Sequence, residues 1–169
     1  MEVSCLSTAY RVRRLEEADV PQILRLCSGN PQFYQYHPPL ATADSVRADI
    51  RALPPGKMPE DKFYVGYFAG DYLSTGTPSE ERLTAVLDLI LDYPEEKTAY
   101  IGFFMVDAAM QGTGLGSSWQ ARLRRICGHR AIQSCAWAWI GGIRRACPFG
   151  AKTALHRYRR ESTSSWSGH

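Results

Sequence analysis

The residues best suited to chemistry lie in one short run, Gln111-Gly112-Thr113-Gly114-Leu115-Gly116. It follows an apolar stretch and precedes a segment that opens as a helix. The first N–H groups of a helix have no internal acceptor, and they carry the positive end of its dipole. Such an end receives phosphate. Glycines at 112, 114 and 116 remove the Cβ atoms that would hold a diphosphate away, and they permit positive φ. Each charge-assisted hydrogen bond to the anion contributes about 1.5–3 kcal/mol, so a few would anchor a nucleotide-bearing ligand without a lysine. A dinucleotide turn needs G-x-G-x-x-G after its first strand, and Ser117 ends that match. A Walker loop needs Gly-Lys-Ser/Thr, and no lysine is present.

Two carboxylates are candidates for taking a proton from a nucleophile. Asp88 and Asp92 are four apart on a predicted strand and so share a face. The simpler reading is stronger for both: Asp92 caps the Asp92-Tyr93-Pro94 turn, and Asp88 is a surface residue. Tyr34, Tyr36 and His37 are candidates to line a pocket, with aromatic loop packing the more economical account. His37 lacks partners for a metal site, and no Cys/His spacing of a zinc site occurs.

The elements that position these residues follow from periodicity. Residues 10–15 alternate as a strand. A helix opens at Glu16-Glu17-Ala18-Asp19, with Pro21 in its first turn. Ile23, Leu24, Leu26 and Cys27 form its apolar face, and Gly29-Asn30-Pro31 stops it. A second helix spans 42–53, with Val46, Ile50 and Leu53 facing the core. Strands are predicted at 63–68, 83–92 and 99–106. The middle one turns Leu83, Ala85, Leu87, Leu89 and Leu91 to one face, and the last is apolar on both. Residues 72–81 form an inserted, solvated loop between two strands. The order is strand, two helices, three strands, glycine turn, helix: an α/β arrangement with a mostly antiparallel front sheet.

The chain has 169 residues, enough for one domain with a real core, and 44% hydrophobic and 22% charged content suit a soluble protein. No apolar run is long enough to span a bilayer, and no secretory signal is visible. Five cysteines without a CxxC pair favour reduced thiols in the cytoplasm. Charge is divided unevenly. Residues 1–118 hold 10 Lys/Arg against 16 Asp/Glu, a balance of −6; residues 119–169 hold 10 against one, a balance of +9. All four tryptophans follow residue 118.

The stretch 101–116 resembles motif A of the GNAT superfamily of N-acetyltransferases, and Gln111 to Gly116 matches its Q/R-x-x-G-x-G/A signature. The resemblance covers about residues 10–118 and implies a GNAT-like fold that binds acetyl-CoA as co-substrate. It implies a splayed strand whose backbone at Phe104, Met105 and Val106 binds pantetheine. The N–H groups of Gln111, Gly112, Thr113, Gly114, Leu115 and Gly116 would hold the diphosphate. The implied reaction is acetyl transfer to a primary amine, on a small molecule or a peptide. Asp88 and Asp92 are the candidates for the catalytic base. No metal, nucleic acid or membrane is implied, and a homodimer stays open.

The family next requires a fifth strand, a last helix and a motif like N-x-x-S-x-x-F-Y/W-x-K-x-G-F, and residues 119–169 show none of them. Back-translation of residues 141–155, read two bases later, permits Gly-Asn-Pro-Gln-Ser-Leu-Pro-Phe-Trp-Arg-Lys-Asn-Gly-Phe, the missing phrase in order. A change of reading frame near Ser118 is therefore expected. It accounts for the charge break, the tryptophan cluster and the missing motif together. The expected organisation is an N-terminal tail at 1–9, an acetyl-CoA-binding domain at 10–118 and an anomalous segment at 119–169. The C-terminal strand–helix part would be missing or replaced, leaving a poorly stable and weak or inactive transferase. Two other functions fit parts of the chain: a non-catalytic acyl-CoA binder, or a nucleic-acid module using the basic tail.

Overall fold

The computed structural model describes residues 2–70 and 81–114, six helical positions between 116 and 125, and the backbone of 134–137. The inserted loop expected at 72–81 lies outside them except for Glu81, as does most of the segment 119–169.

Five strands form one sheet in sequence order: β1 (Arg11–Arg14), β2 (Lys62–Ala69), β3 (Arg82–Leu91), β4 (Thr98–Val106) and β5 (Ser134–Trp137). The first four are antiparallel, and β5 joins β4 in parallel. Three helices lie between β1 and β2: α1 (Val20–Ser28), α2 (Pro31–Tyr36) and α3 (Ala43–Arg51). After β4, residues 116, 118, 119, 121, 122 and 125 are helical.

The local reasons are those the sequence suggests. Pro21 sits in the first turn of α1 and Gly29 closes it. Val20, Ile23, Leu26 and Cys27 are its buried face. Thr42 and Ser45 satisfy each other's backbone N–H groups at the start of α3, at 3.1 and 2.9 Å. The short helix α2 was not expected. Pro31 reads as a stop, yet proline needs no N–H donor at a first helical position, so the same residue starts the next helix.

Two bulges redistribute side chains. Leu83 pairs with Phe68 and Ala85 with Tyr67, so Thr84 is an extra residue. Leu83 thereby joins Val86 and Phe68 beneath the helices, whereas Ala85, Leu87, Leu89 and Leu91 face the other side. The expectation that all five share a face fails at this one position, because a bulge reverses the alternation. Gly102 is the second extra residue: Asp88 pairs with Phe103 and Leu89 with Ile101. Ile101 and Phe104 consequently share a face, and Phe103 and Met105 turn toward the helices.

The packed body is wider than residues 10–118. Leu6, set in the expected tail, is fully buried with Val12 on the face opposite α1 and α3. Trp119, placed beyond the expected boundary, is 1% exposed in the same cluster and stacks on Phe104 at 4.6 Å. Apolar burial at about 25 cal/mol per Å² outweighs a boundary drawn from charge. The fifth-strand position is also occupied, by residues 134–137. An open strand edge offers backbone donors and acceptors to any chain that can extend beside it, whatever its side chains.

Candidate functional site

Among the described residues, the edge of β4 facing β5 is paired only at its start. Thr98, Ala99, Tyr100 and Ile101 align with Ser134, Cys135, Ala136 and Trp137. From Gly102 to Val106, no partner strand continues along that edge among the described residues. The bulge at Gly102 bends β4 where this pairing stops. Phe103, Phe104 and Val106 are half-buried, and the Met105 side chain is buried under the helices. Met105 therefore has only backbone to offer a ligand.

The strand runs directly into the glycine turn, which is fixed from three sides. Asp107 accepts from Ala109 N at 2.9 Å and from Arg82 at 2.6 Å, and its own N–H donates to Thr84 O at 2.8 Å. Gln111 donates from Nε2 to Asn30 Oδ1 at 2.8 Å and to Val106 O at 3.1 Å. Asn30 is buried and donates to Leu26 O at 2.9 Å. Gln111 thus ties the turn to the ends of α1 and β4.

Gly112 and Gly114 have φ of 80° and 86°, and nothing lies within 4 Å of a Cβ built at either. Both therefore need glycine for backbone shape, and both face open space. Ser118 N donates to Gly114 O at 2.9 Å, which is the first full helical turn. None of the described backbone acceptors outside the helix takes the N–H of Gly112 or Gly114. Gly116 differs: its φ is not positive, and a Cβ there would touch the Phe104 ring at 3.9 Å. The Thr113 hydroxyl donates to Met110 O at 2.6 Å and its N–H reaches the same oxygen at 3.4 Å; Gln111 N reaches Ala108 O at 3.3 Å. Those two N–H bonds are long and weak. Leu115 lies outside the described residues.

The two candidate carboxylates are far apart in environment. Asp92 is exposed with φ of 54° and accepts from Lys97 N at 2.7 Å, so it closes the turn after β3. Asp88 is no surface residue. Its side chain is 14% exposed and lies 3.3 Å from the buried ammonium of Lys62. A Cβ on Gly102 would meet Asp88 Oδ2 at 2.8 Å, so the carboxylate sits against the β4 bulge. Its Oδ1 is buried with no hydrogen-bond partner among the described residues. Burial pushes the Asp88 carboxyl above the ordinary carboxylate range, against the opposing pull of Lys62.

Tyr34 and Tyr36 belong to α2 and His37 follows it. His37 packs on Phe33 at 4.8 Å, and Phe33 meets Phe103 edge-on at 5.9 Å, near the bulge. Tyr36 points outward, 75% exposed. Burial, with a hydrogen bond to Cys27, raises the Tyr34 phenol. Lys62 and Asn30 were missed by sequence reasoning. A lysine opening the apolar run Phe63–Phe68 was the visible signal for the first; nothing local marks the second. A cavity of about 370 Å³ lies on the face opposite α1 and α3, lined by Leu6 to Ala9, Tyr67, Ser118 and Trp119 among others.

No group of side chains suited to a metal ion occurs among the described residues, and none of their helices is long and apolar enough to cross a membrane. No family model matches the chain, and no curated protein matches it. Solved structures do. An acetyltransferase from Thermus thermophilus superposes with a TM-score of 0.55 at 21% identity, covering 74% of this chain and 71% of that one. A GCN5-related N-acetyltransferase from Kribbella flavida gives 0.48 at 18% identity, over 75% and 70%. The PaiA N-acetyltransferase from Thermoplasma acidophilum, solved with coenzyme A, gives 0.47 at 13%, over 75% and 76%. The chain has the mixed α/β fold of the GNAT-type acetyltransferases.

Proposed function

We propose that this chain is built to transfer an acetyl group from acetyl-CoA to a primary amine, on a small molecule or a peptide, by direct attack in a ternary complex. The observation that carries this reading is the pair Gly112 and Gly114. Both hold positive φ and face open space at a helix start, directly after a strand whose outer edge has no strand partner beyond Ile101 among the described residues. The backbone from Phe104 to Val106 binds the pantetheine amides as a partner strand would. The turn from Gln111 to Gly116 binds the diphosphate with backbone N–H groups, those of Gly112 and Gly114 foremost.

Asp88 is the base in this scheme. Its Oδ1, which has no hydrogen-bond partner among the described residues, accepts a proton from the acceptor ammonium, and the freed amine attacks the thioester carbonyl. The tetrahedral adduct loses its remaining ammonium proton to solvent and collapses to the amide. The coenzyme A thiolate leaves and is protonated from solvent, and Asp88 gives up its proton to solvent before the next turnover. A raised carboxylate pKa brings the base closer to neutral pH, where proton transfer is most effective. Asp92 is left with its turn.

Isothermal titration with acetyl-CoA tests the binding half, and thiol release over a panel of amines tests the chemistry. Binding without thiol release from any amine would make the chain a non-catalytic acyl-CoA binder. No heat of binding would remove the assignment.

We propose also that translation leaves the original frame near Ser118. The change from −6 to +9 in charge balance at that point supports it. Restoring one or two bases near codon 118 is expected to regenerate the family phrase without a stop codon. The restored chain is expected to show the larger thermal shift with acetyl-CoA; equal shifts would count against a crippled C-terminus.

A further inference from the structure

A lysine is seldom buried unless its charge is answered. Lys62 opens β2 with its side chain 6% exposed. Its Nζ donates to Asp49 O at 2.6 Å, to Ala52 O at 2.7 Å and to Asp88 Oδ2 at 3.3 Å. The first two acceptors are carbonyls at the C-terminal end of α3, where unsatisfied oxygens and the negative end of the dipole gather. All three ammonium protons are thereby assigned. The two carbonyl contacts are the shorter, so the helix end, not the carboxylate, decides where the ammonium sits.

We infer that Lys62 is a positioning residue for Asp88: anchored on the end of α3, its ammonium holds the carboxylate against the β4 bulge and keeps Oδ1 ionised and unengaged. The inference rests on the reading of Asp88 as base. An opposite charge this close favours the ionised carboxylate, while burial opposes it. The groups that face Asp88 come from several elements: Lys62 and Tyr64 from β2, Asp49 from α3, and Gly102, which has no side chain, from β4. Asp49 opposes Lys62 by raising the Asp88 pKa. Cys27 and Tyr34 adjoin Asp49 and Tyr64 and titrate well above neutrality, held up by burial. Lys62 is the one cation among these groups. The Lys62 ammonium also lies 5.5 Å from the Tyr64 ring centre, which leaves its stem little freedom.

The test uses the full chain carrying Lys62→Met, Lys62→Arg, Asp88→Asn, or Lys62→Met with Asp88→Asn. Carbon-13 titration of the aspartate carboxyls, assigned by the loss of one signal in D88N, reads Asp88 directly. Lys62→Met is expected to raise its midpoint by about 1–3 pH units, and Lys62→Arg, which keeps the charge, by less. The acid limb of the pH–rate profile for acetyl transfer is expected to move by the same amount. A carboxyl midpoint unmoved in K62M overturns the inference. A midpoint that moves while the rate limb stays put upholds the Lys62–Asp88 coupling and removes Asp88 as base. If K62M melts too early to titrate, thermal melts decide: adding Asp88→Asn recovers part of the loss if the pair is coupled. An equal loss in both backgrounds overturns the inference.

Discussion

The two parts of β4 satisfy their backbone differently. Residues 98–101 have a strand on either side, β3 and β5. Residues 102–106 have β3 on one side and no strand partner described on the other. The division falls at Gly102, the bulge, and the glycine turn begins at the far end of the second half. A ligand with amides and a diphosphate can bind where strand pairing stops, because that is where main-chain donors and acceptors remain to be answered. The first half serves to hold the sheet; the second, by the proposal above, serves the cofactor.

The largest test of that contrast removes the support behind the second half. Trp119→Ala takes away the ring stacked on Phe104 and is expected to cost about 3–5 kcal/mol, read as a fall in melting temperature. Acetyl-CoA binding should fall with it, since Phe104 loses its backing. Gly114→Val acts at the turn. It fills open space and forces a branched residue into positive φ, so acetyl-CoA affinity should drop about 10- to 100-fold by calorimetry, the worth of one charge-assisted hydrogen bond or slightly more. The melting temperature should change far less than in Trp119→Ala. An affinity within twofold of the parent would show that the turn does not hold the diphosphate.

Gly102→Ala blurs the boundary between the halves. The new methyl would sit 2.8 Å from Asp88 Oδ2, so the carboxylate or the bulge must shift. The expected cost is about 1–3 kcal/mol in a denaturant melt, with the Asp88 titration disturbed. A reference remote from β4 is the Arg13–Asp19 pair, bidentate at 2.8 and 2.7 Å, with Asp19 also accepting from Glu16 N. The hydrogen bond from Arg13 holds the Asp19 carboxyl below its ordinary value. A lowered folded pKa gives stability that is complete above the unfolded value, about 3.9, and drains as pH falls through the folded one. Asp19→Asn should therefore lose about 1–2 kcal/mol at pH 7 and little below about pH 3. Acetyl-CoA binding at pH 7 should survive it, which separates fold effects from site effects.

Much of this could be read from local patterns. The strands at 62–69, 82–91 and 98–106 were found to within a residue because alternation and β-branched or aromatic content act over a few neighbours. The glycine turn was legible because positive φ and an uncapped helix start are properties of adjacent residues. Asp88 was placed on the correct strand but assigned the wrong surroundings. Its burial depends on Lys62, 26 positions away, and no local pattern reports that distance.

The sequence by itself determined the order of the first four strands and of the two longer helices, the position of the glycine turn and the break in charge after residue 118. Short-range sterics and composition suffice for each. Only the tertiary structure decided that Thr84 and Gly102 are bulges, that Leu6 and Trp119 belong to the core, and that Lys62 reaches both α3 and Asp88. Those outcomes depend on register between strands and on which faces meet, quantities set by long-range packing once the chain has closed on itself.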